Sequence, residues 1–256
     1  MTETLLSLRA IWRLTRVAVH LAAGLVIVWL AYPFISRRRC LAIKQRWSRQ
    51  LLELLCVELI INGASVAAMR VANHVSWLDI FAFNAASPAA FIAKDDVRRW
   101  PLIGWLCAHT DTLFIRRSSP RAAHDMIREL AARLAEGAEV VAFPEGTTSD
   151  GQQVLPFHGA LLQGAIAAGV PIQPVALAYQ TGDGRSAQAP VYCGDTSLLQ
   201  SMWRIASASG LAVRLKFLPV RDTTDRNRRE LAMQLRSDIV AVMAEPGALS
   251  RPGAAA

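Results

Sequence analysis

From about residue 65 onward the chain alternates short aliphatic, β-branched runs with longer runs of helical period. The short runs at 66–71, 90–93, 112–116, 139–143, 172–179, 191–193 and 212–218 predict strands. The longer ones at 77–85, 96–107, 120–136, 159–168, 197–207 and 225–244 predict helices. Ser119 before Pro120 is a helix start, and Gly137 is a matching stop. Regular alternation of this kind implies an α/β fold, with a mixed, largely parallel sheet flanked by helices. The polar, glycine-containing stretch 180–189 reads as a loop, and the Ala/Gly/Pro-rich tail 246–256 as disordered.

The N-terminal pattern is different. Residues 17–35 are almost uninterruptedly apolar, broken by His20 and bounded by Arg13 and Arg16 before and Arg37, Arg38 and Arg39 after. Nineteen residues just suffice to span a bilayer as a helix. The run is too long for a signal-peptide core and no small-residue cleavage site precedes the arginines, so it reads as a retained anchor. Pro33 bends or stops it. Spanning the bilayer and lying in one leaflet both fit, and the stronger basic cluster after the helix favours a cytosolic catalytic domain on the inner (cytoplasmic) membrane. A second helix over 43–61 carries Leu51, Leu52, Leu55 and Leu59 against Lys44, Arg46 and Arg49. Lying in the membrane interface and packing on the domain are equally good readings of it. The organisation expected is membrane-associated helices over 1–62, one α/β domain over 63–245, and the tail.

Composition sharpens the choice of partner. The chain has 256 residues, of which 53% are hydrophobic, and a net charge of +8. Such a chain is too apolar to be disordered and suits a surface that is anionic and greasy, such as a membrane. Nucleic acid is the other partner of a basic protein, but no zinc spacing, helix-turn-helix signature or aromatic-basic RNA motif occurs. Cys40, Cys56, Cys107 and Cys193 are scattered with no CxxC, as buried free thiols would be.

Two polar clusters in apolar surroundings carry the candidate chemistry. The first, NHVSWLD (73–79), closes a predicted strand and opens a helix. His74 and Asp79 would lie about 140° apart on one ideal helix, so they meet only if His74 sits in the turn before it. With Ser76 as N-cap, Asp79 falls at the third helical position, where it holds one imidazole nitrogen while the other faces a substrate. Ser76-x-x-Asp79 is equally a capping-box variant beside an ordinary loop histidine. The second cluster, FPEGTTS (143–149), follows the strand at 139–143. Gly146 allows a tight turn and close approach to a ligand, and Glu145 can accept hydrogen bonds from a polar head group or fix the loop, with Thr147 beside them. Lys94 and Arg116 each end a predicted strand, where ligands of α/β sheets gather, and Arg116 suits phosphate. Arg117 is the weaker of the arginine pair. His158 is a rival base without a nearby carboxylate, while His20, His109 and His124 read as structural. Gly63-Ala64-Ser65-Val66-Ala67 lacks the final glycine of a serine-hydrolase elbow, and no Walker A or Rossmann fingerprint is present. The histidine therefore activates a hydroxyl that the substrate brings.

In these blocks the chain resembles the glycerolipid acyltransferases, the lysophosphatidate acyltransferase family. That family carries NHxxxxD, a strand ending in arginine, a FPEGTRS-type block and a VPIxPVA-type block. Here they read NHVSWLD (73–79), FIRR (114–117), FPEGTTS (143–149) and VPIQPVA (170–176), in the same order and spacing over roughly 65–220. The resemblance implies His74 as general base, Asp79 as its orienting partner, Arg116 on the acceptor phosphate, Glu145 and Gly146 at the acceptor, and Pro171 at the acyl-donor site or structural. It implies transfer from acyl-carrier protein or coenzyme A to a lysolipid, 1-acyl-sn-glycerol-3-phosphate first, with no metal and no cofactor. Thr148 departs from the family's arginine, which weakens the case for a phosphomonoester and leaves room for lyso-ornithine lipid. A catalytically silent head-group-binding protein and a lipid hydrolase are the readings from other classes. The net +8 would suit an acidic carrier protein as donor.

Overall fold

The computed structural model describes residues 2–115 and 120–245. Helix α1 (Thr2–Leu30), a 3-10 turn (Tyr32–Phe34) and helix α2 (Arg37–Leu54) come first. The alternating part then runs β1 (Val57–Asn62), β2 (Met69–Ala72), α3 (Asp79–Ala86), β3 (Ala90–Lys94), a 3-10 turn (Asp95–Arg99), α4 (Ile103–Ala108) and β4 (Leu113–Ile115). It continues through α5 (Pro120–Ala135), β5 (Val140–Ala142), α6 (Leu162–Ala168), β6 (Ile172–Gln180), α7 (Leu198–Ser207), β7 (Leu211–Phe217) and α8 (Arg228–Ala244). The strands form one sheet in the order β1-β7-β6-β2-β5-β3-β4. Among the described strands only the β6–β7 pair is antiparallel, so the sheet is mixed and largely parallel as the alternation predicts.

Side chains alternate between two cores. Met69 and Val71 of β2 face a cluster with Leu130, Leu162 and Leu235, while Ala72 faces one with Leu52, Phe83 and Ile205. The sheet is thus a middle layer, with α5, α6 and α8 on one side and α1, α2, α3 and α7 on the other. β2 is central and fully buried. Its Arg70 guanidinium is held by Glu139 at 2.7 Å; burial pulls its pKa down and Glu139 partly restores it.

Several elements differ from the pattern-based expectation. The helix expected over 43–61 ends at Leu54, and residues 57–62 are β1, paired in parallel with β7. The helix expected over 96–107 is broken at Trp100-Pro101, since a proline disfavours helical backbone before it. Residues 191–193 form no strand. The start at Ser119, the end of the 112–116 strand and the tail from 246 lie outside the described residues.

α2 packs on the domain, and two of the three basic side chains of that face, Lys44 and Arg49, bond to it. Lys44 Nζ donates to Ala89 O (2.7 Å) and Thr110 O (2.9 Å), and burial lowers its pKa to about 8. Gln45 Nε2 donates to Ala85 O and Ala86 O, and Arg49 to Ala85 O (2.9 Å), which caps the C-terminal end of α3. On α1, Arg13 caps α7 in the same way through Ala206 O (3.0 Å) and Ala208 O (2.6 Å). His20 stacks on Trp47 with centroids 4.7 Å apart, and a Cβ at Gly24 would meet the same indole at 2.7 Å. The stretch Leu6–Phe34 is long and apolar enough to cross a membrane by length and composition, and 17% of its most apolar window is buried inside the protein.

Candidate active site

The site grows from the end of the central strand. Beyond Ala72, the Asn73 side chain carries the β2–β6 pairing one step further: Nδ2 donates to Leu177 O (2.8 Å), and Oδ1 accepts from Leu177 N (2.9 Å). The chain then turns away with His74 at the carboxyl end of β2.

His74 Nδ1 lies 2.8 Å from Asp79 Oδ2. An ionised carboxylate only accepts, so Nδ1 carries the proton and Nε2 keeps its lone pair. The His74 side chain is 19% exposed and that of Asp79 is fully buried. Asp79 Oδ2 also accepts from the backbone N–H of Val75 (2.8 Å) and Ser76 (3.0 Å), and Oδ1 accepts from the Tyr179 hydroxyl (2.7 Å). This corrects the expected cap. Asp79 is the first residue of α3, and Ser76 Oγ makes no cap to the helix but accepts from Leu78 N (3.3 Å) in the preceding turn. The carboxylate reaches back along the chain and closes the turn around itself.

The block at 143–149 wraps the same turn. The Phe143 ring stacks on the imidazole, with centroids 4.0 Å apart and planes 11° from parallel. Gly146, at φ +70, gives the left-handed bend that a side chain would strain. Glu145 Oε1 accepts from His74 N–H (2.8 Å) and Oε2 from Leu155 N–H (3.1 Å). Of the two roles expected of Glu145, the structure shows it fixing the loop, each oxygen accepting one backbone N–H. Burial pushes its pKa up to about 7, against the two backbone donors and His74. Ser149 closes the other side, donating from N (2.8 Å) and Oγ (3.2 Å) to His74 O. Tyr192 N donates to Val75 O (3.0 Å), and Thr148 Oγ1 donates to Tyr192 O.

The remaining sequence candidates fare differently. Thr147 is exposed next to Gly146. Lys94 is exposed at the carboxyl end of β3, the edge of the sheet on which His74 also stands, and among the described residues no hydrogen bond ties it to His74, Asp79 or Glu145. Arg116 and Arg117 lie outside the described residues. His158 is exposed, its N–H bonded to Pro144 O, and His20 and His109 bond to Trp47 O and Trp105 O. Four contributors escaped sequence reasoning in their structural roles: Asn73, Phe143, Ser149 and Tyr179. The first three stand inside the quoted blocks. Tyr179 has a weaker signal, a hydroxyl-tipped ring at the end of an apolar strand.

A parallel-rich sheet that presents a carboxylate-held histidine beyond its central strand defines an α/β enzyme, and the chain belongs to the acyltransferase family, whose model matches residues 60–178. It is 40% identical to the 1-acyl-sn-glycerol-3-phosphate acyltransferase of Neisseria meningitidis serogroup B over 72% of this chain and 71% of that one. It is 37% identical to the lyso-ornithine lipid O-acyltransferase of Pseudomonas aeruginosa over 77% of this chain and 78% of that one. Among solved structures, the 1-acyl-sn-glycerophosphate acyltransferase of Thermotoga maritima matches the fold with TM-score 0.69. That match has 20% identity and covers 96% of this chain and 99% of the other.

Proposed function

We propose that this chain transfers a fatty acyl group from an acyl-carrier-protein or coenzyme A thioester to the free hydroxyl of 1-acyl-sn-glycerol-3-phosphate, giving phosphatidate. The observation that carries the reading is the 2.8 Å bond from His74 Nδ1 to a buried Asp79, which leaves Nε2 as the base. In this mechanism Nε2 removes the acceptor hydroxyl proton as the oxygen attacks the thioester carbonyl. The tetrahedral intermediate then collapses, the C–S bond breaks, and the thiolate leaves with the proton from the imidazolium. Asp79 stabilises the imidazolium in between. Lys94, Arg116, Glu145, Gly146 and Thr147 are the residues proposed to meet the acceptor, with Arg116 on its phosphate. The reaction is proposed for the cytosolic face of the inner membrane, held there by α1.

Lyso-ornithine lipid is the second reading, and Thr148 favours it. Its hydroxyl is turned to Tyr192 O, so this position offers no cation to a phosphomonoester. Membranes carrying the protein, given labelled acyl donor and either lysolipid, separate the two. Phosphatidate made by wild type and lost at least a hundredfold in His74→Ala is the expected result. Product from lyso-ornithine lipid alone would transfer the same mechanism to the second acceptor. Near wild-type turnover by His74→Ala would overturn the mechanism.

A further inference from the structure

We infer that Tyr179 is a positioning residue for this chemistry: its phenol fixes the Asp79 carboxylate in the rotation that presents Oδ2 to His74. The inference rests on the reading of His74 as base. It comes from a residue one position beyond the stretch that the family model matches.

The geometry is specific. In the β2–β6 register Ala72 stands opposite Val175, so β6 runs on past the end of the central strand. Val175, Leu177 and Tyr179 share one face and one core cluster, the one that contains Phe83 of α3. Tyr179 is therefore the point where β6 overhangs the His74 turn. A phenylalanine would supply the same ring to this core. The hydroxyl adds a 2.7 Å bond to Asp79 Oδ1, between two buried groups a hundred residues apart in the chain, and also meets the Ser76 side chain.

That bond does what the local turn does not. The donors to Oδ2 among the described residues all come from residues 74–76, so the local turn holds that oxygen and leaves Oδ1 to a partner from elsewhere in the chain. Rotation about an sp³–sp² bond is soft and carries both oxygens together, so a second anchor on Oδ1 resists the same rotation that would take Oδ2 off His74. Burial and the neighbouring carboxylate push the Tyr179 pKa well above its ordinary value, so the phenol keeps the proton it donates. The ionisable groups around Asp79 are His74 from the turn after β2, Tyr179 from β6 and Glu145 from the loop after β5. Taking away the phenol proton concentrates the carboxylate charge on the histidine side and favours imidazolium.

The test uses the full chain in detergent with labelled histidine. His74 is assigned by the resonance missing from His74→Ala and titrated by NMR, alongside acyl-transfer kinetics. In Tyr179→Phe the His74 midpoint moves to higher pH, the acidic limb of kcat/KM moves with it, and kcat falls about tenfold or more with acceptor KM unchanged. Site-specific 3-fluorotyrosine keeps ring and hydroxyl but donates more strongly. It leaves the protein folded and moves the midpoint the other way, which decides the matter even if the phenylalanine variant does not fold. A His74 midpoint that stays at the wild-type value in both replacements would overturn the inference. The NMR arm reads Tyr179 whether or not either lysolipid is acylated, so failure of the inference and failure of the proposed function remain distinct.

Discussion

His74 sits in a backbone that is tied down from several sides. Its N–H goes to Glu145, its C=O to Ser149, the Val75 N–H and C=O to Asp79 and Tyr192, and the Ser76 N–H to Asp79. A turn satisfied in this way is preorganised, as the proposed role of the imidazole as base requires. Glu145 pays for its place in that frame with a carboxyl that burial makes hard to ionise. Its folded pKa of about 7 stands above the unfolded value of 4.5, so the folded chain binds the extra proton between those limits. Its contribution to stability is fully present below pH 4.5 and is lost as pH rises through about 7. Urea titrations at several pH values should therefore show wild type losing stability relative to Glu145→Gln across that window. Parallel curves would assign the Glu145 proton elsewhere. His74, Asp79 and Gly146 were legible in sequence because each is polar or conformationally special within an apolar stretch. Ser76 misled because Ser-x-x-Asp satisfies both a cap and a carboxylate folding back on its own turn. Tyr179 and Phe143 became visible only when partners distant in sequence were placed side by side.

The elements were legible where period and punctuation agreed, as in α5, β6, β7 and α8. β1 was hidden because nothing marks its start. Leu54, Leu55, Cys56 and Val57 carry no glycine or proline, and the chain changes direction at Cys56 through a left-handed φ of +54. An apolar run of that length reads as one helix until the sheet claims its second half. The basic face of α2 was ambiguous for a related reason: a side chain that caps a neighbouring helix looks in sequence like one that meets lipid head groups. This capping belongs to the frame that carries the His74–Asp79 pair, because α3 begins at Asp79 and ends under Gln45 and Arg49. Replacing both with alanine removes three hydrogen bonds to the last carbonyls of α3. A loss of about 2 kcal/mol in unfolding free energy is expected. A double variant as stable as wild type would show that water caps α3 equally well.

For the molecule as a whole, α1 divides its surface between two environments. Ala10, Arg13 and Val17 are buried against the domain, while Trp12, Trp29, Leu30 and Phe34 are exposed. Trp29→Glu combined with Phe34→Glu should lower partition of the full chain onto lipid vesicles by roughly ten- to a hundredfold. Turnover on detergent-dispersed acceptor should stay within about twofold, since both residues lie outside the site; unchanged partition would place the membrane contact elsewhere. The pairing of β1 with β7 carries a consequence in time. Val57 and Leu211 are partners about 150 residues apart. At ordinary synthesis rates β1 waits roughly 8–30 s on the ribosome before its neighbour exists. During that interval α1 and α2 have already emerged, and α1 is free to find a bilayer while the sheet is unfinished. An anchor formed by α1 would therefore be complete before the sheet is, and a chain interrupted before residue 211 would carry an open, aggregation-prone strand edge.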